Sequence, residues 1–229
     1  MFSGVNVLHA VAISTFILWS FLGAVHAEWE LRKEEKGIRV YTRSVPGSQL
    51  RAFKGTVKIK ASLASVLGVL DDTAACPEWV HRCKSGKVLE RKSFTDVYTY
   101  KVTDMPFPTK DRDIVIHKVI TQDPKSKAIT IRNTAVPDFI PKTRNVRIEK
   151  SEGSYLLTPL PDGTVEVTWE QFSDPAGRIP RSLINSMIVN TPLLTLNRLR
   201  ELAQTSKYQR AKLKYSSDGI LEGFAVKDW

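Results

Sequence analysis

The 229-residue chain is poor in the side chains that carry covalent chemistry: it has two cysteines, four histidines and three methionines. It contains no Gly-x-Ser-x-Gly elbow, no His-Glu-x-x-His helix, no Walker loop and no Rossmann glycines, so the common hydrolase, zinc-protease, nucleotidase and dinucleotide signatures are missing. Two of the histidines, His9 and His26, fall in the first 27 residues, leaving His81 and His117 with no evident triad. No nucleic-acid motif accompanies the formal charge of +10. Cys76, His81 and Cys83 supply only three metal donors within eight residues, a poor zinc site, and neither metal nor cofactor is expected.

The first 27 residues also lack Lys, Arg, Asp and Glu. The uncharged apolar run Val11–Val25 is shorter than the roughly 20 residues of a bilayer span and is broken by Ser14, Thr15, Ser20 and Gly23. It ends in Val25-His26-Ala27, a small-residue cleavage pattern, although no Lys or Arg precedes it. Residues 1–27 therefore read as a signal peptide, with an uncleaved anchor as the alternative, and the mature chain as an exported protein starting at Glu28, periplasmic in a Gram-negative source and otherwise secreted. The remaining 202 residues fit one domain and hold all of the net charge. That charge suits either a soluble basic surface or transient affinity for an anionic membrane face. In an oxidising compartment Cys76 and Cys83 can pair.

Along the mature chain, Trp29–Lys33 and Ile38–Arg43 read as a hairpin around Gly37, and Phe53–Lys60 alternates as a third strand. Ser62 is placed to cap a helix bearing Leu63, Val66, Leu67 and Leu70, and a short helical piece follows through Pro77 and Trp79. From Lys87 to Phe172 the pattern is strands and turns, clearest where Val165, Val167 and Trp169 alternate with polar residues. Pro180 opens a long helix with Leu183, Ile184, Met187, Ile188, Leu196, Leu199 and Leu202 on its apolar side, and Pro192 is expected to kink it. The order predicts an α+β helix-grip fold, in which a curled antiparallel sheet is covered by the C-terminal helix. The Lys-rich residues 204–229 read as a loosely ordered basic tail, with a place on a membrane or back on the domain as alternatives.

Two landmarks stand out. Met105-Pro106-Phe107-Pro108 is a stiff loop that cannot pair in a ladder, and Asp111-Arg112-Asp113 behind it can tie it down by charge-assisted hydrogen bonds. Asp111 and Asp113 flank an arginine and so read as an ion-pair cluster before a catalytic carboxylate pair. The second landmark is Asp174-Pro175-Ala176-Gly177-Arg178-Ile179-Pro180, followed by Leu183 and Asn185. Together, across about Trp29 to Leu202, they resemble the START family of lipid-transfer domains. The resemblance implies that the space between sheet and helix is a hydrophobic ligand cavity, where periodicity alone equally describes a filled core.

On the strand after the first landmark, Ile114, Ile116, Lys118 and Ile120 share one face. In the family a basic residue six positions after the motif arginine faces the cavity, a place held here by Lys118. Lysine cannot make the bidentate fork of arginine, and snorkelling to the rim is the alternative. The residues expected at the ligand are Trp79, Tyr98, Tyr100, Ile114, Ile116, Lys118, Ile131, Asn133, Trp169, Leu183 and Met187, with Pro106, Phe107 and Pro108 as a gate. Trp79, Trp169 and Asn133 serve equally well as core. The expected function is non-catalytic: a monomer that binds a lipid or other hydrophobic small molecule and carries or presents it across an aqueous gap. A cyclase or aromatase using the same cavity, or a ligand sensor, are the other readings.

Overall fold

Alternating burial along the strands sets the architecture. The computed structural model describes Met1 and residues 28–229, so the expected signal peptide and its cleavage point lie outside the described residues. The elements are β1 (Glu30–Glu35), β2 (Ile38–Ser44), β3 (Arg51–Ile59), α1 (Leu63–Asp71), α2 (Cys76–Trp79), β4 (Cys83–Arg91), β5 (Asp96–Thr103) and β6 (Arg112–Gln122). They continue with β7 (Ile129–Ala135), β8 (Val146–Arg147), β9 (Lys150–Pro159), β10 (Val165–Asp174), α3 (Arg181–Ala203), α4 (Ser206–Gln209), β11 (Lys212–Tyr215) and β12 (Leu221–Val226). The main sheet runs β1-β2-β3-β10-β9-β7-β6-β5-β4, antiparallel throughout, with short β8 paired in parallel to β6. It is the curled sheet and long C-terminal helix of an α+β helix-grip fold.

Local chemistry places the helices as the sequence suggests. Ser62 Oγ accepts the Ser65 N–H at 3.0 Å and caps α1. Pro180 stands at the N-cap of α3, where its missing N–H costs no helical bond. Pro192 marks a change of role along α3. Before it, Ile184, Met187, Ile188 and Thr191 face a cavity; after it, Leu193, Leu196, Leu199 and Ala203 are buried in the core. The helix can approach β3 because position 55 is glycine. A Cβ there would stand 2.6 Å from Leu196 Cδ1 and 3.2 Å from Pro192 Cβ. Gly55→Val is therefore expected to lower stability by about 1–3 kcal/mol through overpacking, read as an earlier denaturant midpoint at unchanged slope.

Residues 204–229 are a correction. They are not a loose tail: α4 and the β11–β12 hairpin pack on α1, and Tyr208 is fully buried. Trp229 lies over Gly68, where a Cβ would meet its ring at 2.7 Å. Two lysines of this segment reach the acidic end of α1, Lys227 to Asp71 at 3.0 Å and Lys207 to Asp72 at 2.8 Å, and Tyr208 donates to Asp72 at 2.9 Å. Cys76 and Cys83 form a disulfide, closing a loop whose cross-link contributes about 2.5 kcal/mol in the chain-entropy model. Among the described residues no helix is long and apolar enough to cross a membrane.

Candidate functional site: a cavity between sheet and helix

The ladder register gathers the β2–β3, β5–β6, β7–β8 and β10–α3 connections at one end of the sheet. From that end a cavity of about 260 Å³ runs inward between the first half of α3 and β3, β5, β6, β7, β9 and β10. Leu50, Met105, Pro175 and Ile179 line it from the connections, and Phe53, Ile114, Ile116, Tyr155 and Trp169 from the strands. Tyr155 stacks on Trp169 at 5.0 Å, and Phe53 meets the same indole edge-on at 4.7 Å, so the aromatic wall is rigid. Beside it lies a pocket of about 20 Å³ that shares Lys101, Ile116, Asn133 and Tyr155 with the main cavity.

The two sequence landmarks meet at this end. Arg112, buried on β6, donates from Nε to the Pro175 carbonyl at 3.0 Å, from a terminal nitrogen to the Ala176 carbonyl at 2.9 Å, and to the Lys110 carbonyl. Asp111 accepts the Met105 N–H at 3.2 Å and the Lys84 ammonium at 2.9 Å, tying the proline loop down. Asp113 faces outward and is fully buried. It takes Arg147 Nε at 2.7 Å, Tyr100 Oη at 2.9 Å and Thr143 Oγ1 at 2.6 Å. Burial would raise its pKa, but these three partners hold it below the ordinary carboxyl value. The Asp-Arg-Asp run is thus a structural clamp.

Of the residues expected at the ligand, Ile114, Ile116, Asn133, Trp169 and Met187 line the main cavity, and Trp79, Lys118 and Ile131 line the side pocket. Tyr98 and Tyr100 are corrections. They pair with His117 and Val115 on the outer face of the sheet, where Tyr98 stacks on His117 at 4.5 Å and Tyr100 binds Asp113. Leu183 lines neither space, because Ile184 and Met187 occupy the inward stripe of α3. Pro106, Phe107 and Pro108 do not line the cavity either. Met105 does, while the Phe107 side chain is 97% exposed at the loop tip.

Lys118 lies on the inner face, as the alternation predicts, and is only 6% exposed. Its ammonium donates to the Leu70 carbonyl at 2.8 Å, in the last turn of α1, close to the charge of Asp71. It is a cap for that helix end. Burial lowers its pKa to about 8, against the opposing pull of Asp71.

Lys101, which no motif in the sequence marks, joins the site. It lies on the inner face of β5 opposite Ile114 and lines both cavity and side pocket. Burial, reinforced by the charge of Lys118, brings its pKa down to about 7. Strict alternation outward from Val97 and Thr99 is the signal that finds it.

The matching family model is the START domain, which covers residues 20–210. An uncharacterised protein of Pseudomonas aeruginosa is 37% identical over 183 residues, 79% of this chain and 89% of that protein. The rat phosphatidylcholine transfer protein is 26% identical over 165 residues, 69% of this chain and 76% of its own length. Among solved structures, a STAR-related lipid transfer protein fragment of Xanthomonas axonopodis superposes with a TM-score of 0.72 at 36% identity, spanning 77% of this chain and 99% of that one. Human StAR-related lipid transfer protein 5 shares the fold, with a TM-score of 0.67 at 16% identity over 77% of this chain and 86% of that one. With its helix-grip sheet, apolar cavity and both landmarks in place, the chain belongs to the START domain family.

Proposed function

We propose that the protein is a non-catalytic carrier that holds one hydrophobic molecule, a lipid or lipid-like amphiphile, in this cavity and moves it between membranes. The observation that carries the reading is the cavity itself. Its walls are mainly aliphatic and aromatic side chains from the sheet and the first half of α3, with polar groups set among them, in the space that a well-packed core would fill. Burying an acyl chain here or in a bilayer gains about the same, roughly 0.8 kcal/mol per CH₂, so exchange is near neutral and the carrier's work is to keep the chain out of water.

Loading takes place at the loop end. Phe107 stands bare at the tip of the loop that begins with cavity-lining Met105; exposed Lys110 follows in the same loop, and Lys84 is ion-paired to Asp111 at its end. An exposed aromatic among cations on a protein of charge +10 suits transient seating on an anionic bilayer surface.

Protein purified without detergent is expected to release one hydrophobic molecule per chain into organic solvent, identified by mass spectrometry. Transfer between vesicles should leave that molecule unchanged, quicken with anionic lipid, slow with salt, and fall about tenfold in Phe107→Asp. Extracts free of any lipid from protein of intact fold would overturn the reading, and a chemically altered product would favour an enzyme.

A further inference from the structure

The cationic groups of the cavity are unequal. Four line it: Arg51, His81, Lys101 and Arg112, and no carboxylate stands among the lining residues. Arg51 is held by Glu30 at 2.8 Å and by Thr42 Oγ1 at 3.0 Å, and Arg112 by the carbonyls of the second landmark. Burial and the neighbouring Arg82 and Arg198 lower the pKa of His81, favouring its neutral form. Lys101 has no hydrogen bond or ion pair among the described residues; its ammonium stands 6.0 Å from the centroid of the Trp79 ring.

Other polar groups around it are also without protein partners. The Asn133 amide and the Tyr155 hydroxyl line both spaces and make no hydrogen bond among the described residues. Buried Thr99 Oγ1 and Trp79 Nε1, on the wall of the side pocket, are unpaired as well. A polar group buried without a partner costs free energy, and a cation costs more. Thr99 and Trp79 are buried outright, and Lys101, Asn133 and Tyr155 present unpaired polar atoms to the cavity beside them; together they describe a headgroup site.

We propose that Lys101, with Asn133 and Tyr155, binds the carboxylate of a single-chain amphiphile at the inner end of the cavity, the chain running out toward α3 and the loops. This rests on the carrier reading and names the class of its cargo. A lone cation matches one negative charge. The amide N–H and the phenol O–H add neutral donors for carboxylate oxygens. About 260 Å³ lies just below the range of roughly 300–1,000 Å³ usual for drug-sized ligands, which suits one chain better than two. The near-neutral pKa of Lys101 fits the same assignment, because a bound carboxylate would restore its charge.

The test is calorimetric titration at neutral pH with dodecanoic acid and 1-dodecanol, on the wild type, Lys101→Met and Lys101→Gln. The wild type is expected to prefer the acid by about tenfold or more, and both variants to lose roughly ten- to hundredfold for the acid while binding the alcohol within about threefold of wild type. Lys101→Met should also melt above the wild type, since an unpaired buried cation is gone. Equal wild-type affinity for acid and alcohol, or equal losses of both in the variants, would overturn the subsite while leaving the carrier standing. So would failure to bind either probe by protein that yields some other lipid on extraction. Failure to bind either, with nothing extracted, would remove the carrier reading too.

Discussion

Asp113→Ala is expected to lower stability by about 3–5 kcal/mol, because it strands a buried cation. Arg147 is 4% exposed, and its guanidinium is shared between Asp113 and the carbonyls of Pro137, Ile140 and Pro141. The pair pins the irregular 136–148 segment against the outer face of the sheet, where Phe139 stacks on Tyr98 at 4.2 Å. Without the carboxylate, the arginine keeps its carbonyls but has no counter-charge, and Tyr100 and Thr143 lose their acceptor. Denaturant unfolding reads the loss as a midpoint shift. Asp113→Leu combined with Arg147→Met should recover most of it, since apolar replacement removes both desolvated charges together. The pH dependence has a definite sign. The Asp113 pKa is lowered, so its contribution is full above the ordinary carboxyl value of 3.8 and is lost as pH falls through the lower native value. An Asp113→Ala variant as stable as the wild type at neutral pH would show that the clamp holds nothing.

The fold was legible because its signals are local: Gly37 for the first hairpin, Ser62 for the α1 cap, Pro180 for the start of α3, and the alternation of Val165, Val167 and Trp169. The landmark residues were legible too, yet what joins them was not, since Arg112 meets Pro175 across 63 positions. Tyr98 and Tyr100 show how a site is misread. Aromatic residues suggest an apolar wall, but β5 is partly covered on both faces, so burial offers no contrast and only the period of two decides. That same period points Lys101 inward, against the usual exposure of lysine. Its burial depends on Trp79 and on β6, elements remote in sequence. Residues 204–229 escaped for a similar reason. Their apolar anchors, Tyr208, Leu221, Phe224 and Trp229, are widely spaced, and the acids that hold Lys207 and Lys227 are on α1.

Lys101→Met should gain stability over the wild type at acid and neutral pH, and that gain should vanish in alkali. The lysine titrates near 7 in the folded protein and near 10.5 in the unfolded chain. A depressed lysine pKa means that the native state binds fewer protons than the unfolded one between those values, so wild-type stability rises with pH across that window. The penalty for the buried charge is therefore full below about pH 7 and is lost on the way to 10.5. At pH 6 the variant is expected to be more stable by about 2–4 kcal/mol, a figure discounted because the ammonium faces a cavity open to solvent. The groups facing Lys101 are Arg112 and Lys118 from β6, Arg51 from β3, and His81. Lys118, lowered to about 8 by burial, is coupled to Lys101, so removing Lys101 relieves some of its repulsion and adds to the difference with the same sign. Saturating dodecanoate should then reverse the order, favouring the wild type near neutrality, because the carboxylate supplies the missing counter-charge and moves the titration of Lys101 upward. Denaturant unfolding of both proteins from pH 6 to 10, with and without the acid, measures this. A difference that stays constant across that range would place the Lys101 ammonium in solvent and remove the physical basis for the headgroup site.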